Sequence, residues 1–408
     1  MAGNKIPELM IPANNLKILK YAVNYGADAV YVGGKKFNLR SIRGNFSLDE
    51  LVEGVKYAHS KGVRVYITLN SCIHENEVDD LKEYINNLKN IELDGLIAAD
   101  LGVMGLIREI IPEARIHIST QTSITNHHGV RIMEKLGASR VNLAREISFN
   151  DLKEIKKKSK VEIEVFVHGA LCISYSGRCM LSKYMTGRDA NKGECAHSCR
   201  WKYYLMEEQR SNLFFQIEQD NSGTYIYNSR DLCLLPELKK LTDIGVDSIK
   251  IEGRMKTENY VSLVTWAYRM ALDNIAEGSF TEPAIEYLMS ELDKASHRNF
   301  TKGFMFSADK NELTDNENVG YIKKYTFIGT IIKNKEEYSG TVIGIRNQLN
   351  KGSILDILQP GEKPEEYRVE KMIIANNGKE VDVANPNDII VIPGLAGLNP
   401  YSILRVKK

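Results

Sequence analysis

The sequence predicts an α/β fold: a TIM-like (β/α)8 barrel with a cysteine-rich insertion after the seventh strand, followed by a small C-terminal all-β barrel. Between residues 7 and 277, short apolar segments of strand type alternate eight times with amphipathic segments of helical period. Eight such units over roughly 250 residues are typical of a closed parallel barrel. Strands that are apolar on both faces indicate a sheet covered by helices. An open, doubly wound sheet is the alternative, since closure cannot be deduced from one sequence.

The eight predicted strands occur in chain order, and each leads into a predicted helix. In the first helix, NNLKILKYAVNYG, the residues Leu16, Leu19, Ala22 and Val23 recur at helical spacing, and the helix ends at Gly26. The strands are PELMI, DAVYVG, VRVYITLN, DGLIAAD, RIHIST, RVNLAR, VEIEVFVHG and DSIKIEG. The other helices are LDELVEGVKYAHSKG, VDDLKEYINNLKN, LGVMGLIREI, HGVRIMEKLG, FNDLKEIKKK, CLLPELKKLTDIG and TENYVSLVTWAYRMALDNIAEG.

Three segments lie outside this alternation. More than sixty residues separate the seventh strand from the next helix, too many for an ordinary βα loop, so we assign an insertion to residues 169–233. Within it, KYYLM and TYIYN predict a small hairpin subdomain. A polar linker is predicted at 297–319, after a barrel domain of residues 1–296. Residues 320–408 contain short strand-like segments separated by turn residues, which indicates a compact all-β barrel.

The composition excludes several classes of protein. The 54 Lys and Arg residues nearly equal the 53 Asp and Glu residues, so the chain is not a polycation that binds nucleic acid by charge alone. No run of eighteen apolar residues is present, and we expect no membrane partner. The N-terminus has no basic segment followed by an apolar one, so we predict a cytoplasmic protein. In that reducing compartment, clustered cysteines indicate metal binding rather than disulfides.

The carboxyl ends of the predicted strands carry polar residues, and the loops at that end form the active site of this fold. Arg145, Glu146, Glu252 and Arg254 are predicted catalytic residues, because guanidinium and carboxylate groups can fix a polar ligand bidentately. The alternative is that these four side chains pair with one another and connect the loops. His168 is predicted to act as an acid, a base or a hydrogen-bond donor, and its alternative is a buried core histidine.

Five further residues are candidates for substrate binding. Arginine and aromatic side chains offer planes for stacking on a base, and arginine also binds phosphate. For the two amide side chains, satisfying backbone groups is the alternative. These candidates are Arg40, Asn70, Gln121, Tyr175 and Trp201.

The cysteines form a concentrated motif within the insertion. Four of the six have the spacing C-x6-C-x15-C-x3-C, and another follows in NSRDLC. Four thiolates without partner histidines fit either tetrahedral zinc or an iron–sulfur cluster. The wide spacings favour the cluster over paired zinc knuckles. The predicted metal ligands are Cys172, Cys179, Cys195, Cys199 and Cys233, of which the last two compete for the fourth position.

Two other interpretations concern single cysteines. Cys72 follows the third predicted strand and is expected to be a small buried apolar group. Cys172 with His168 would make a nucleophile–base pair, since thiolates attack well when a base is near. The presence of four clustered thiols makes that pair less attractive than metal binding.

Six sequence segments carry a resemblance to a known family. They are EVFVHGALCISYSGRCMLSKY, PELMIPANNLKILKYAVNYGADAVYVGGKKFNLR, GECAHSCRW, NSRDLC, GVDSIKIEGRMKTENYV and HRNFTKGF. Together they extend over nearly the whole chain and closely resemble the collagenase-like peptidase family. That family includes bacterial tRNA and ribosomal RNA hydroxylation proteins and a ubiquinone-hydroxylation pair. PANN is a departure, because the family more often has Pro-Ala-Gly, and asparagine tolerates positive φ less readily than glycine.

The resemblance implies an oxygen-sensitive 4Fe–4S cluster with Cys172, Cys179 and Cys195 as constant ligands and Cys199 or Cys233 as the fourth. With one small β-domain and KKFNLR in the second loop, the chain resembles the tRNA branch, which forms 5-hydroxyuridine at the wobble position and requires prephenate. Hydroxylation of 23S ribosomal RNA cytidine and a collagenase-like peptidase activity are alternatives. A second family member is a further possible partner, as in the ubiquinone pair. The peptidase alternative is weakened because neither H-E-x-x-H nor G-x-S-x-G occurs.

The tRNA interpretation agrees with the predicted fold. A wobble uridine lies in a single-stranded loop and can enter a barrel mouth without breaking a duplex. The two carboxylates of prephenate suit paired arginines. The sequence therefore predicts tRNA and prephenate as partners of the barrel mouth.

Overall fold

The structure is a computed structural model. It describes residues 5–39, 44–172, 174–201, 219–220, 223–224, 229–307, 321–335 and 340–408. The candidate Arg40 and the predicted piece KYYLM lie outside these residues, and only Thr224 of TYIYN lies inside them. Within the described part of the insertion, Gln219–Asp220 pairs antiparallel with Gly223–Thr224.

The N-terminal sheet begins at residue 8. Its parallel strands up to the insertion are β1 (Glu8–Pro12), β2 (Ala29–Gly33), β3 (Arg64–Leu69), β4 (Gly95–Ala98), β5 (Ile116–Ile118), β6 (Ala138–Asn142) and β7 (Glu162–Ala170). The strands that follow are the short pair β8 (Gln219–Asp220) and β9 (Gly223–Thr224), then β10 (Asp231–Cys233), β11 (Ser248–Ile251) and β12 (Phe300–Thr301).

Eight parallel strands close into a barrel. Strand β1 pairs with both β2 and β11, and β11 also pairs with β7. The strands between β2 and β7 pair in chain order. The predicted (β/α)8 barrel is therefore confirmed, and the open-sheet alternative is wrong.

Two strands extend the barrel wall beyond this ring. Strand β10 pairs antiparallel with β7, so that Cys233 lies opposite His168. Strand β12 pairs in parallel with β10. Because β12 comes from the segment predicted as linker, the chain continues to pack on the barrel after residue 297.

Helices cover the outside of the barrel. Several begin at an Asn, Ser or Asp whose side-chain oxygen accepts a hydrogen bond from the first turn, and each such cap contributes about 1 kcal/mol. Within the described residues, no helix combines the length and hydropathy needed to cross a bilayer. The helices are α1 (Leu16–Asn24), α2 (Leu48–His59), α3 (Val78–Leu88), α4 (Leu101–Ile110), α5 (His127–Lys135), α6 (Phe149–Lys158), α7 (Leu181–Thr186), α8 (Leu238–Asp243), α9 (Glu258–Glu277), α10 (Glu282–Leu292) and α11 (Gly303–Phe306).

The barrel interior contains charged side chains as well as apolar ones. Arg140 contacts Glu8 at 2.5 Å and Glu164 at 3.3 Å, and Lys250 contacts Glu164 at 3.0 Å. All four residues are less than 10% exposed. Buried charges are tolerated only when they are paired, so this network accounts for their presence inside the barrel.

The C-terminal domain is an antiparallel sheet that encloses its own apolar core, a half-open barrel in agreement with the predicted all-β domain. Its main sheet has the order β17-β16-β22-β13-β14-β21-β18-β19. The strands are β13 (Tyr325–Lys335), β14 (Gly340–Ile345), β15 (Leu349–Asn350), β16 (Ile354–Leu358), β17 (Glu365–Arg368), β18 (Met372–Ile374), β19 (Glu380–Val381), β20 (Val383–Ala384), β21 (Ile389–Pro393) and β22 (Ile403–Lys407).

The C-terminal domain docks on α1 and α10 of the barrel. The Tyr25 hydroxyl, at the C-terminal end of α1, shares its hydrogen between two acceptors, Leu358 O at 2.8 Å and Tyr401 O at 3.0 Å. Asp356 pairs with Lys294 and with the fully buried Arg405. The interface between the two domains therefore contains buried hydrogen bonds and a cluster of paired charges.

Candidate functional site

The carboxyl ends of the barrel strands surround a small cavity, here called the mouth pocket. It is lined by five of the residues that the sequence singled out: Asn70, Gln121, Arg145, Glu252 and Arg254. Parallel strands bring their carboxyl ends to one face, which is why these residues, distant in sequence, meet.

Hydrogen bonds fix several of these side chains. Arg254, which is 4% exposed, donates to Thr68 Oγ1 at 2.8 Å and to Asn38 Oδ1 at 2.5 Å. Glu252 Oε2 accepts from the Tyr31 hydroxyl at 3.2 Å. Hydrogen bonds between neighbouring side chains therefore fix the wall of the mouth pocket.

The two amide candidates bond to each other. Asn70 Nδ2 donates to Gln121 Oε1 at 3.3 Å, and Leu39 N donates to Asn70 Oδ1 at 3.4 Å. The second contact matches the alternative in which the amide satisfies a backbone group. Both side chains still line the mouth pocket.

Arg145 occupies a special position between two cavities. Its guanidinium lies over the Phe166 ring at 4.5 Å, and its Nη1 donates to Ala170 O at 3.5 Å. Its Nε is buried and has no hydrogen-bond partner. A planar cation with an unused donor is suited to a carboxylate or phosphate.

A second cavity, here called the cysteine cavity, adjoins the mouth pocket and has a volume of about 100 Å³. Gln121 and Arg145 line both cavities. No disulfide joins any of the six cysteines. The thiols lining the cysteine cavity are Cys172, Cys179, Cys195 and Cys199.

Polar contacts hold the cysteine loops in place. The Asn191 side chain accepts from Cys179 N at 3.2 Å and donates to Cys179 O at 2.9 Å. Glu146 accepts from the backbone N and the hydroxyl of Ser176, both at 2.6 Å. Ser176 adopts a φ of 46°, a left-handed conformation that is costly for serine. The geometry gives Glu146 the role of anchoring the insertion.

The donor set of the cysteine cavity fits a 4Fe–4S cluster. Within the described residues, no three His, Cys, Asp or Glu side chains stand close enough to hold one metal ion. A 4Fe–4S cluster takes one thiolate on each iron, so its ligands stand farther apart than those of a single zinc ion. The His197 N–H donates to Cys195 Sγ at 3.4 Å, and Arg145 lines the same cavity as the four thiols.

Cys233 lies apart from the other four predicted ligands. It is 3% exposed, and its Sγ is 3.9 Å from the Tyr268 hydroxyl and 3.7 Å from Met289 Sδ. Burial raises the pKa of its thiol to about 11, so it stays protonated near neutral pH. The cysteine cavity is lined without it.

His168 also lies in the core rather than in a cavity. It is 2% exposed among the rings of Tyr260, Tyr268 and Phe300, and its Nδ1 is 3.3 Å from the Tyr268 hydroxyl. Burial, and then the charge of His297, lowers its pKa to about 3. The position matches the alternative of a neutral core histidine.

We expect His168 to make stability depend on pH. The unfolded chain takes up a proton below pH 6.5 that the folded protein does not bind until about pH 3. The free energy of unfolding should therefore fall as the pH falls through this window, by up to about 1.4 kcal/mol per pH unit. Urea titrations of His168→Gln should show a shallower dependence than wild type. The exposed His74→Gln serves as the control, and an unchanged slope in His168→Gln would contradict the expectation.

Two candidates for substrate binding are exposed on the insertion and line neither the mouth pocket nor the cysteine cavity. Tyr175 is 51% exposed and Trp201 is 45% exposed. Cys72, which was expected to be buried, is exposed. It follows the end of β3 in a loop, where its backbone N–H donates to Asn191 O at 3.0 Å. The apolar strand pattern ended before it, so the expectation of burial was wrong.

The sequence reasoning missed two polar residues on the floor of the mouth pocket. Asn142 and Lys250, 2% and 4% exposed, point inward from β6 and β11. Their signal was a polar residue at an inward position of an otherwise apolar strand, in RVNLAR and DSIKIEG.

An open groove of about 390 Å³ continues from the mouth pocket. Glu252 lines both, and the groove also carries Lys256, Tyr321 and Lys323. The Lys256 ammonium lies 4.4 Å from the centre of the Tyr321 ring. Cations beside an exposed aromatic ring are suited to a nucleic-acid strand.

Comparisons with known proteins identify the family. Residues 14–315 match the model described as Peptidase family U32, and residues 323–405 match the Peptidase family U32 C-terminal domain. A tRNA hydroxylation protein of Bacillus subtilis (strain 168) is 35% identical over 405 residues, covering 99% of this chain and 96% of that protein. A protein of Methanocaldococcus jannaschii named as an uncharacterized protease is 38% identical over 389 residues, covering 93% of each.

A third relative is named for the modification of a different RNA. A 23S rRNA 5-hydroxycytidine synthase of Escherichia coli (strain K12) is 34% identical over 304 residues, which cover 73% of this chain and 45% of that protein. The two family models together span most of the sequence, in agreement with the resemblance found in its motifs. The chain therefore belongs to peptidase family U32 and carries the C-terminal domain of that family.

Proposed function

We propose that this protein is an iron–sulfur RNA-modifying enzyme that hydroxylates tRNA at the wobble uridine to form 5-hydroxyuridine. Relatives named as tRNA and rRNA hydroxylation proteins support RNA hydroxylation. The observation that carries the proposal is the wall of Gln121 and Arg145 shared by the cysteine cavity and the mouth pocket. A cofactor in one cavity and a nucleotide in the other would be neighbours.

In this proposal Cys172, Cys179, Cys195 and Cys199 hold the 4Fe–4S cluster. When bound, such a cluster supplies electron transfer or Lewis-acid activation. Arg145 lines both cavities, and its Nε has no hydrogen-bond partner, so we assign to its guanidinium the binding of an anion between them. We assign a carboxylate of prephenate, the metabolite that the family resemblance implies, to this guanidinium.

The cellular setting follows from the same chemistry. Thiolate ligands require a reducing compartment, so we place the protein in the cytoplasm with its tRNA substrate. Cytidine hydroxylation of 23S rRNA is the second candidate, because one relative bears that name. The support for a peptidase activity consists of names, those of the family and of the Methanocaldococcus jannaschii relative.

The test is mass spectrometry of nucleosides from the tRNA and rRNA of cells that carry the gene and of cells that lack it. Loss of 5-hydroxyuridine from tRNA is the expected result, with return on complementation. Loss of a hydroxylated cytidine from rRNA instead would favour the second candidate. Unchanged nucleosides in both RNAs would refute RNA hydroxylation. If the purified chain is inactive and a homologue co-purifies with it in equal amount, the chain supports a second family member.

The groove gives a separate prediction about RNA affinity. Lys323→Gln should weaken binding of an anticodon stem–loop and reduce the slope of log K against log salt by about 0.7, the value for one phosphate contact on a single strand. Fluorescence anisotropy at several salt concentrations measures both. Lys61→Gln is the matched control, because Lys61 lies at the amino ends of the strands, on the opposite face of the barrel. If the two variants show the same dependence of log K on log salt, the RNA does not contact Lys323 in the groove.

A further inference from the structure

The floor of the mouth pocket offers a hydrogen-bond acceptor beside a donor. Asn142 Nδ2 donates to Glu164 Oε1 at 2.8 Å, and Lys250 Nζ donates to the same oxygen at 3.0 Å. Sharing one oxygen places the amide and the ammonium next to each other. Both side chains line the mouth pocket and are at least nine-tenths buried.

The chemistry of Glu164 settles which way the amide faces. Glu164 also contacts Arg140 at 3.3 Å, so it is a carboxylate between two cations and can only accept hydrogen bonds. The amide nitrogen of Asn142 must therefore face Glu164, and its oxygen must face away. That oxygen, Asn142 Oδ1, is buried and has no hydrogen-bond partner.

Lys250 supplies the complementary donor. An ammonium has three N–H groups, and Glu164 accepts one of them. The Lys250 Nζ lies 4.3 Å from the centre of the Tyr31 ring and 5.7 Å from that of Phe166, and both rings line the mouth pocket. The floor is thus polar, and two aromatic residues line the pocket beside it.

We propose that Asn142 and Lys250 read the hydrogen-bonding edge of a pyrimidine base that enters the mouth pocket. A uracil edge places the N3–H donor beside the O4 acceptor, which matches Asn142 Oδ1 and Lys250 Nζ. A cytosine edge places its amino group beside N3 and matches the same pair. The inference rests on the proposed function and adds to it the residues that select the base.

A carboxylate ligand on this floor is disfavoured by the same atoms. Carboxylate oxygens only accept hydrogen bonds, so they would leave Asn142 Oδ1 buried without a donor and would face it across a short distance. A base with a ring N–H or an amino group removes that cost. The floor therefore selects a ligand with a donor and an acceptor side by side.

The experiment measures recognition of the N3–H group directly. An anticodon stem–loop with uridine at the wobble position is compared with one carrying N3-methyluridine there, using fluorescence anisotropy. Wild-type protein should bind the methylated loop about 10- to 100-fold more weakly, the effect of one lost buried hydrogen bond with an unpaired acceptor. In Asn142→Ala the ratio of the two affinities should approach one. A third stem–loop carries cytidine at the wobble position. Comparing its affinity for wild type with that of the uridine loop shows which of the two pyrimidines the pocket prefers.

Controls separate recognition from folding. Asn24→Ala removes an amide that bonds Tyr57 on the outside of the barrel, and it should keep the wild-type ratio. In Asn142→Ala, Glu164 keeps Arg140 and Lys250, so the fold should persist and can be verified by circular dichroism. The wild-type comparison needs no variant and decides the question even if Asn142→Ala does not fold.

Three results would overturn the inference. Equal affinity of wild type for both loops, in a protein that restores hydroxylated nucleosides in cells, would remove it and leave the proposed function intact. Loss of prephenate binding in Lys250→Met with unchanged RNA affinity would show that the floor binds an anion. Failure of wild type to bind any of the loops would overturn the inference and weaken the proposed function with it.

Discussion

A Cys199→Ser variant prepared without oxygen is expected to retain little iron and acid-labile sulfide, whereas Cys233→Ser should retain the wild-type amounts. Cys199 lines the same cavity as the three other cysteines of the insertion. Cys233 is buried beside Tyr268 and Met289 and does not line that cavity, so we expect its sulfur not to reach the cluster. Visible absorption, iron and sulfide analysis, and paramagnetic resonance after reduction measure the difference without reference to activity.

The pair of variants is matched in chemistry, since each replaces one sulfur by oxygen. Cys233→Ser should cost some stability because it places a hydroxyl in an apolar core, and thermal melting reports that cost separately. Alkylation offers a second readout: in the folded protein stripped of iron, Cys199 should react with iodoacetamide and Cys233 should not. Loss of the cluster in Cys233→Ser, with retention in Cys199→Ser, would reverse the assignment of the fourth ligand.

The barrel was predictable because its signal is repeated. Each strand segment is apolar on both faces and each helix has a 3.6-residue period, so a single misjudged element could not change the architecture. The order of polar residues at strand ends then placed Asn70, Gln121, Arg145, Glu252 and Arg254 at one mouth, where the structure brings them together.

What the sequence did not predict depends on contacts between distant segments. The extension of the barrel wall by β10 and β12 joins residues 231–233 to residues 300–301, and no local pattern signals that pairing. Whether a polar strand residue faces a cavity also depends on the neighbours that close it. Asn142 and Lys250 were overlooked for that reason, and the placement of His168 and Cys233 in the core depends on rings from α9 and β12.

Asp356→Ala is expected to lower the free energy of unfolding by about 3–5 kcal/mol, the cost of leaving buried charge without its partner. Asp356 Oδ1 accepts from Arg405 Nε at 2.9 Å, and its other oxygen contacts Lys294 from the barrel domain. Arg405 is fully buried, so water cannot replace the lost carboxylate. Because Lys294 belongs to the other domain, part of the loss should appear as weakened docking of the C-terminal domain.

Asp382→Ala provides the contrast, because the side chain of Asp382 is 77% exposed and its partner Lys351 lies 3.3 Å away on the surface. Removing such a pair costs about 0–1 kcal/mol. Urea unfolding followed by circular dichroism should therefore separate the two variants clearly, and limited proteolysis between the domains should accelerate in Asp356→Ala alone. Similar stability of the two variants would mean that Glu291, 3.8 Å from Arg405, neutralises the buried guanidinium by itself. In that event the domain contact would depend on apolar burial and on the Tyr25 hydrogen bonds rather than on charge.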